Sequence, residues 1–572
     1  MLCAARLSAR LILLAALCGA PPLLAQTAPA VGNAAPAPAS ASALSVLGAR
    51  AAQCSPLPTD AELERAGARI GHIYVDIREI FDLSDPQDNN WIFRMADRLH
   101  FDTRERAILA QLQFVPGDRY SRAMLDETER IMRVDYNFIR EPRIRPICYH
   151  DGQVDILVTT HEVWTLQPGI DFGRSGGTNA WAIDFADTNF LGLGKNVEVG
   201  HAETVDRAST FINWADPNIV GTHWIDAADF SKNSDGTAWG IAGAYPFIAV
   251  ETPYTIGTNY ADDHGIVHRY SLGQIYDAYD NDWRVGDFYA GEAVHIDSQW
   301  VDRLMLGWHV DRSNFYGTPE AIAVAPLPAN RFLSYPYVRY EWLQNDYSTM
   351  QNLDLIARTE DVHFGLDASL GFGVATPYFG SDRDSILPDA ELKYGFRFGL
   401  ADDLFLTARV ATRYEEGALH DFIATGTAAY YVATSDRSRL LMRFTGKYGY
   451  NLDLDHYVEL GGDDGLRGYP LRYQNGSQDA LFTIEERVYT RYYLLRLFNV
   501  GGAAFFDSGR TWGYTPVPTP NLGLLKDAGV GLRLGNARTS LGSVIHIDLA
   551  FPFERAPGVD RVQLLISTQA TF

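Results

Sequence analysis

The chain has 572 residues, more than one ordinary globular core organises and enough for two or three domains. Its formal net charge of -23 and the lack of a Lys/Arg stripe exclude the electrostatic footprint of a nucleic-acid binder. No apolar run of about 18 residues follows the N-terminal segment, which excludes a helical membrane span but not a strand-built one, and 50 glycines with 12% aromatic residues suit many strands joined by tight turns.

In chain order, residues 1–25 read as a secretory signal peptide. Arg6 and Arg10 supply charge, Leu11 to Leu17 an apolar core, and Gly19, Ala20 and Ala25 small residues, with cleavage after Ala20 or Ala25. Cys18 follows Leu17, where a lipid-attachment site needs a small residue, so lipidation is disfavoured. Cys54 and Cys148 remain in the mature chain. In an oxidising compartment they either form a disulfide or stay as two thiols, and spacing alone does not decide. Residues 26–69 comprise an Ala/Pro/Ser/Gly linker from about Thr27 to Ser55, expected to be disordered, and a short helix from Asp60 to Ala68. Thr59 and Glu62 stand in capping-box positions.

Residues 70–166 change periodicity several times. Ile70 to Ile80 alternates like a strand, Trp91 to Leu99 and Arg104 to Leu112 carry helical spacing, and Ser121 to Arg133 forms another helix. Two strands, Arg143 to Tyr149 and Val154 to Val163, flank Asp151-Gly152, a hairpin signal. This β-α-α-β-β order, with FVPGDRYSRAMLDETERI at its centre, resembles a polypeptide-transport-associated (POTRA) domain.

From residue 167 to residue 572 the pattern is a series of alternating runs of about 10 residues, the signature of an antiparallel transmembrane β-barrel. Val562, Leu564, Ile566, Thr568, Ala570 and Phe572 share one strand face. Ile545, Ile547, Leu549 and Phe551 alternate with His546 and Asp548, and Ala528, Val530, Leu532 and Leu534 with Asp527 and Arg533. The terminal Phe572 matches the C-terminal recognition signal of Gram-negative barrel precursors. That match implies the barrel assembly machinery as a partner for the chain's own insertion. Downstream of Gly468 five strands are expected, and upstream about 14 or 15 runs qualify.

Two segments carry a resemblance to a family: GGDDGLRGYP, Gly461 to Pro470, and FFDSGRTW, Phe505 to Trp512. Together they resemble the sixth-loop motif and its strand partner in the BamA/TamA/FhaC superfamily of outer-membrane assembly and secretion proteins. The resemblance implies about 16 strands, an even number as barrels require. On that basis Ser313 to Asn330 and Tyr378 to Pro388 are the expected overcounts. The glycines allow the loop to fold back, so Arg467, followed by Gly468 and Tyr469, enters the barrel. A buried Arg needs a carboxylate. Alternation turns Asp507 and Phe505 inward on one strand, and Thr483, Glu485 and Arg487 inward on the preceding one. Arg467 is therefore expected to pair with Asp507, with Glu485 as second partner and Phe505 beneath the guanidinium. Glu486 departs from the apolar residue usual on the lipid face.

The resemblance implies an outer-membrane protein of a Gram-negative bacterium, its small domain in the periplasm and its barrel in lipid. Its activity would be insertion or translocation of a polypeptide client. One POTRA-like domain is fewer than a central assembly factor or a two-partner secretion pore carries, so an accessory insertase or dedicated transporter fits better. The alternative is a surface-antigen barrel or passive pore. No nucleophile elbow, phosphate loop, cofactor motif or metal-ligand spacing is present, so no catalysis, cofactor or metal is expected.

Overall fold

The computed structural model describes residues 54–80, 91, 94, 101–134, 138–319, 326–399, 402–495, 497–517, 519–536 and 543–569. The signal peptide, most of the linker, most of the Trp91 to Leu99 helix and Phe572 lie outside the described residues.

The small domain starts with helix α1 (Asp60–Arg65), where Thr59 and Glu62 form the capping box. Strand β1 (Arg69–Arg78) follows, then helices α2 (Glu105–Leu109) and α3 (Arg122–Val134), then strands β2 (Ile139–His150) and β3 (Gln153–Glu162). The sheet order is β1-β3-β2, with β1 parallel and β2 antiparallel to β3. Asp151 and Gly152 both adopt positive φ, the backbone a two-residue hairpin needs for its twist to match the strands. Leu125, Ile131 and Met132 of α3 bury against Ile144, Val154, Ile156 and Val158, so the amphipathic helix covers one face of the sheet. Cys54 and Cys148 are disulfide-bonded, their Cα atoms 5.3 Å apart, and Ser55 pairs with Tyr149 beside the bond.

Twenty of the following strands form one closed antiparallel barrel, not the 16 the resemblance implied. Residue-by-residue alternation had already counted 19 or 20. Each of the two segments expected to be overcounts overlaps a barrel strand at one end. Trp300–Gly317 and Arg331–Gln344 flank the first, and Ser385–Phe398 begins inside the second. Alternation is imposed on each strand by lipid outside and polar lumen inside, so it survives where a family's strand number does not. The strands are also longer than the expected runs. Gln274–Ile296 has 23 residues. At about 3.3 Å per residue it is about 75 Å long, and tilted about 45° it rises about 50 Å, past a hydrocarbon core of about 30 Å.

Closure gives each barrel strand two neighbours, the condition for a sheet in lipid, though not to the same extent at every join. Ile183, Phe230, Ile241, Leu306, Leu370 and Val530 stand exposed on the outer surface, while Asp184, Asp527, Arg533, His546 and Asp548 are buried on the inner one. Among the described residues no helix is long and apolar enough to cross a membrane. Glu486 sits beside the turn between Ala418–Ser435 and Ser438–Tyr450, accepting a hydrogen bond from Thr434 (2.5 Å). A charge at the rim costs little.

The small domain packs on one mouth of the barrel. The backbone N–H of Arg104 donates to the Gly192 carbonyl, and the Asn189 amide donates to Thr103 Oγ1. The Gly192-Leu193-Gly194 turn is a seat for this domain. A Cβ on Gly192 would lie 2.3 Å from the Asp102 carbonyl, and one on Gly194 would lie 2.6 Å from the Phe138 ring. At the same mouth a hairpin, Tyr347–Gln351 with Thr359–His363, turns into the lumen. Arg487 donates to the Leu353 carbonyl and the Tyr489 hydroxyl to the Asn352 carbonyl, so the tip is held by the far wall. Arg133 of α3 grips Asp361 of this hairpin with two 2.8 Å hydrogen bonds, and Arg130 stacks on Tyr347.

Candidate functional site

The connection 451–477 leaves strand Ser438–Tyr450 and returns into strand Gln478–Leu494 at the mouth opposite the small domain. It folds back as a short ribbon, Val458–Leu460 with Gln474–Gly476, and carries the glycine-rich motif at its inner end. Gly465 has φ +106°, open to glycine at no steric cost. Gly468 approaches the wall so closely that a Cβ would lie 2.6 Å from the Asp527 Cβ. Leu466, Tyr469 and Tyr473 then bury against Leu460 and Leu525, which fixes the inner end apolarly.

Arg467 enters the lumen from this support. Its Nε and Nη2 donate to the two carboxylate oxygens of Asp507 at 2.7 and 3.0 Å, a bidentate pair. Nη1 donates to Glu485 at 2.7 Å and to Asp548 at 3.4 Å. The guanidinium carbon lies 3.4 Å from the Phe505 ring centre. The structure therefore brings Arg467, Asp507, Glu485 and Phe505 together. Gly468 lies against the next strand, and the Tyr469 hydroxyl contacts the Lys526 carbonyl and the Glu554 carboxylate.

The cluster is wider than sequence reasoning drew it. Glu485 also accepts from Arg487 (3.1 Å) and Arg533 (3.2 Å), and Arg533 also donates to Asp548. Asp507 accepts from the Thr483 hydroxyl at 2.8 Å, and Asp527 stands opposite Asp507 on the adjacent strand. Three guanidiniums (Arg467, Arg487, Arg533) thus meet four carboxylates (Glu485, Asp507, Asp527, Asp548) in a buried patch. Alternation had placed Asp527, Arg533 and Asp548 opposite the lipid-facing residues. What it lacked was strand register, which sets them at the same height as Arg467.

The barrel is not equally closed all round. The last strand, Gln563–Gln569, pairs with its predecessor along Val544–Ala550. Against the first strand, Leu166–Ser175, it makes one register pair among the described residues, Ile566 opposite Arg174. The site thus combines a charged loop anchor on the C-terminal wall with a thin seam next to that wall.

No protein-family model matches the sequence, and no curated protein matches it. Among solved structures the chain is similar to CdiB from Acinetobacter baumannii (12% identity, 88% of this chain and 73% of that one, TM-score 0.43). It is similar to CdiB from Escherichia coli (14% identity, 87% and 76%, TM-score 0.45). It is also similar to BamA from Haemophilus ducreyi lacking POTRA domains 1–3 (13% identity, 87% and 85%, TM-score 0.36).

Proposed function

We propose that this chain is an outer-membrane barrel that moves or inserts polypeptide, with its small domain on the periplasmic side and its lateral seam as the working edge. The observation that carries the reading is the combination of a seam that, among the described residues, is held at one register pair with a loop anchored inside the barrel by Arg467. A closed sheet in lipid has every reason to complete its ladder, so a nearly unpaired seam marks the place where the barrel opens at least cost.

The small domain, with its β1-β3-β2 sheet and packed helices, is POTRA-like in this reading and receives the client. An extended client adds to a sheet edge through main-chain hydrogen bonds. The start of β1 is covered by the segment around Gly117 and Asp118, and Ser55 occupies β2 at Tyr149. Among the described residues the edges left are the second half of β1 and the first half of β2. The hairpin and the loop enter the lumen from opposite mouths, which argues against a simple open pore. The function needs no catalysis, and the protein's partners are lipid and the client chain.

The test is reconstitution into phosphatidylethanolamine/phosphatidylglycerol liposomes with a urea-unfolded small outer-membrane barrel polypeptide. The expected result is faster appearance of folded, protease-resistant client than in empty liposomes. Steady ion conductance with no gain in client folding would replace this reading with a passive pore.

A further inference from the structure

Arg472, five residues beyond Arg467 in the same loop, repeats its grip on the other side of the barrel. Its Nη1 and Nη2 donate to the two oxygens of Asp206 at 2.9 and 2.6 Å, and its guanidinium carbon lies 4.4 Å from the Tyr270 ring centre. The Tyr270 hydroxyl donates to Asp206 at 2.9 Å, so the ring and the carboxylate hold each other in place for the arginine. Asp206 lies in the turn between Asn196–Glu203 and Ala208–Asp216, two early strands of the barrel. The neighbouring residues reach the same wall. The Leu471 N–H approaches the Gly176 carbonyl at 3.4 Å, in the turn of the first hairpin. The Asn475 amide donates to the Tyr270 carbonyl.

We infer that this loop is a two-ended staple across the seam, with Arg467 as its fixed end and Arg472 as its releasable end. Arg467, Tyr469 and Tyr473 hold the strands or turns on the C-terminal side of the seam: Asp507, Lys526 and the carbonyl of Pro557. Leu471, Arg472 and Asn475 hold the N-terminal side. At the mouth away from the small domain, a side-chain strap thus joins the two sides of a seam whose ladder is short among the described residues.

Two observations make the Arg472 end the one that lets go. Arg472 has φ +46°, a left-handed conformation that a residue with a Cβ keeps only while its contacts hold it. Its bidentate partner is a turn carboxylate at a mouth of the barrel, 26% exposed, whereas the Asp507 carboxylate is 0% exposed. Breaking the pair exposes Asp206 to water and relaxes the backbone. Glu459 and Asp463, 3.8 and 3.6 Å from Arg472 Nε in the same loop, stand ready as alternative partners.

This inference rests on the reading of the seam as the working edge, and the experiment separates the two. Spin labels at Phe172 and Leu564, outward residues of the first and last strands, report the seam distance in the full-length protein in liposomes. The variants are Arg472→Glu, Asp206→Arg, both together, and the milder Arg472→Gln, each checked for a folded barrel by gel mobility with and without heating. The expected result is a longer, broader distance distribution in the single variants and a return toward the parent in the charge swap. Unchanged distances in folded single variants would overturn the staple. So would a swap that restores nothing, or an Arg472→Gln barrel that fails to fold, since a releasable end cannot be required for folding. A seam that responds to Arg472 in a barrel that moves no client leaves the staple standing and removes the transport reading. Client folding by a barrel whose seam ignores Arg472 does the reverse.

Discussion

Arg467 and Arg472 use the same grip, a bidentate carboxylate with an aromatic ring against the guanidinium, in two different electrical settings. Arg467 sits among four carboxylates and two further arginines on the strands of the barrel wall. Arg472 grips one carboxylate on a turn at the mouth. The difference is in what each leaves behind. Without its arginine Asp507 remains buried beside other negative charges, whereas Asp206 is partly exposed and keeps the Tyr270 hydroxyl. Chemically similar pairs therefore serve one as an anchor and the other as a catch.

The largest expected effect follows from this contrast. Arg467→Ala leaves the buried Asp507 without its guanidinium, while Glu485 and Asp548 keep Arg487 and Arg533, and costs about 3–5 kcal/mol of loop attachment. Limited proteolysis of the 451–477 loop in the folded barrel measures it, and full protection in the variant would break the comparison. Asp507→Asn ranks second. It keeps the shape but loses a charge-assisted pair worth about 1.5–3 kcal/mol, with Glu485 still holding Nη1. Third, Arg472→Gln costs about 1 kcal/mol, because the carboxylate it releases is partly solvated and screened. Equal proteolytic sensitivity of the Arg467 and Arg472 variants would show that setting does not separate the two ends.

The smallest expected effect is with pH. Burial pushes the Asp206 carboxyl up, but hydrogen bonds from His268, Arg472 and Tyr270 outweigh it and hold the group well below the usual carboxylate range. A carboxyl with a depressed folded value contributes stability that is present above its unfolded pKa and lost only as pH falls through the folded one. Acidification from about pH 8 to about pH 5 therefore leaves the Arg472 end closed. Seam distance at the two pH values checks this, and opening by pH 5 would point to a different group.

Much of the barrel was legible because each strand must obey alternation alone. Leu549 and Phe551 face lipid and His546 and Asp548 the lumen, as their spacing required. The strand total went astray only where the resemblance was allowed to override that count. In the site, Arg467, Asp507, Glu485 and Phe505 were readable because a motif and a strand face converge on them. Asp548 and Arg533 were not, since their height beside Arg467 is fixed by register across several strands. Arg472 was invisible for a stronger reason. Its partner Asp206 lies in a turn hundreds of positions earlier, and nothing local marks either residue.

The most direct test of the central claim ties the seam shut. Arg174→Cys with Ile566→Cys places a cysteine pair where the first and last strands stand in register among the described residues. Oxidised in liposomes, this barrel should lose client folding while remaining heat-resistant, and reduction should restore it. Undiminished client folding by the oxidised, fully tied barrel would contradict the account.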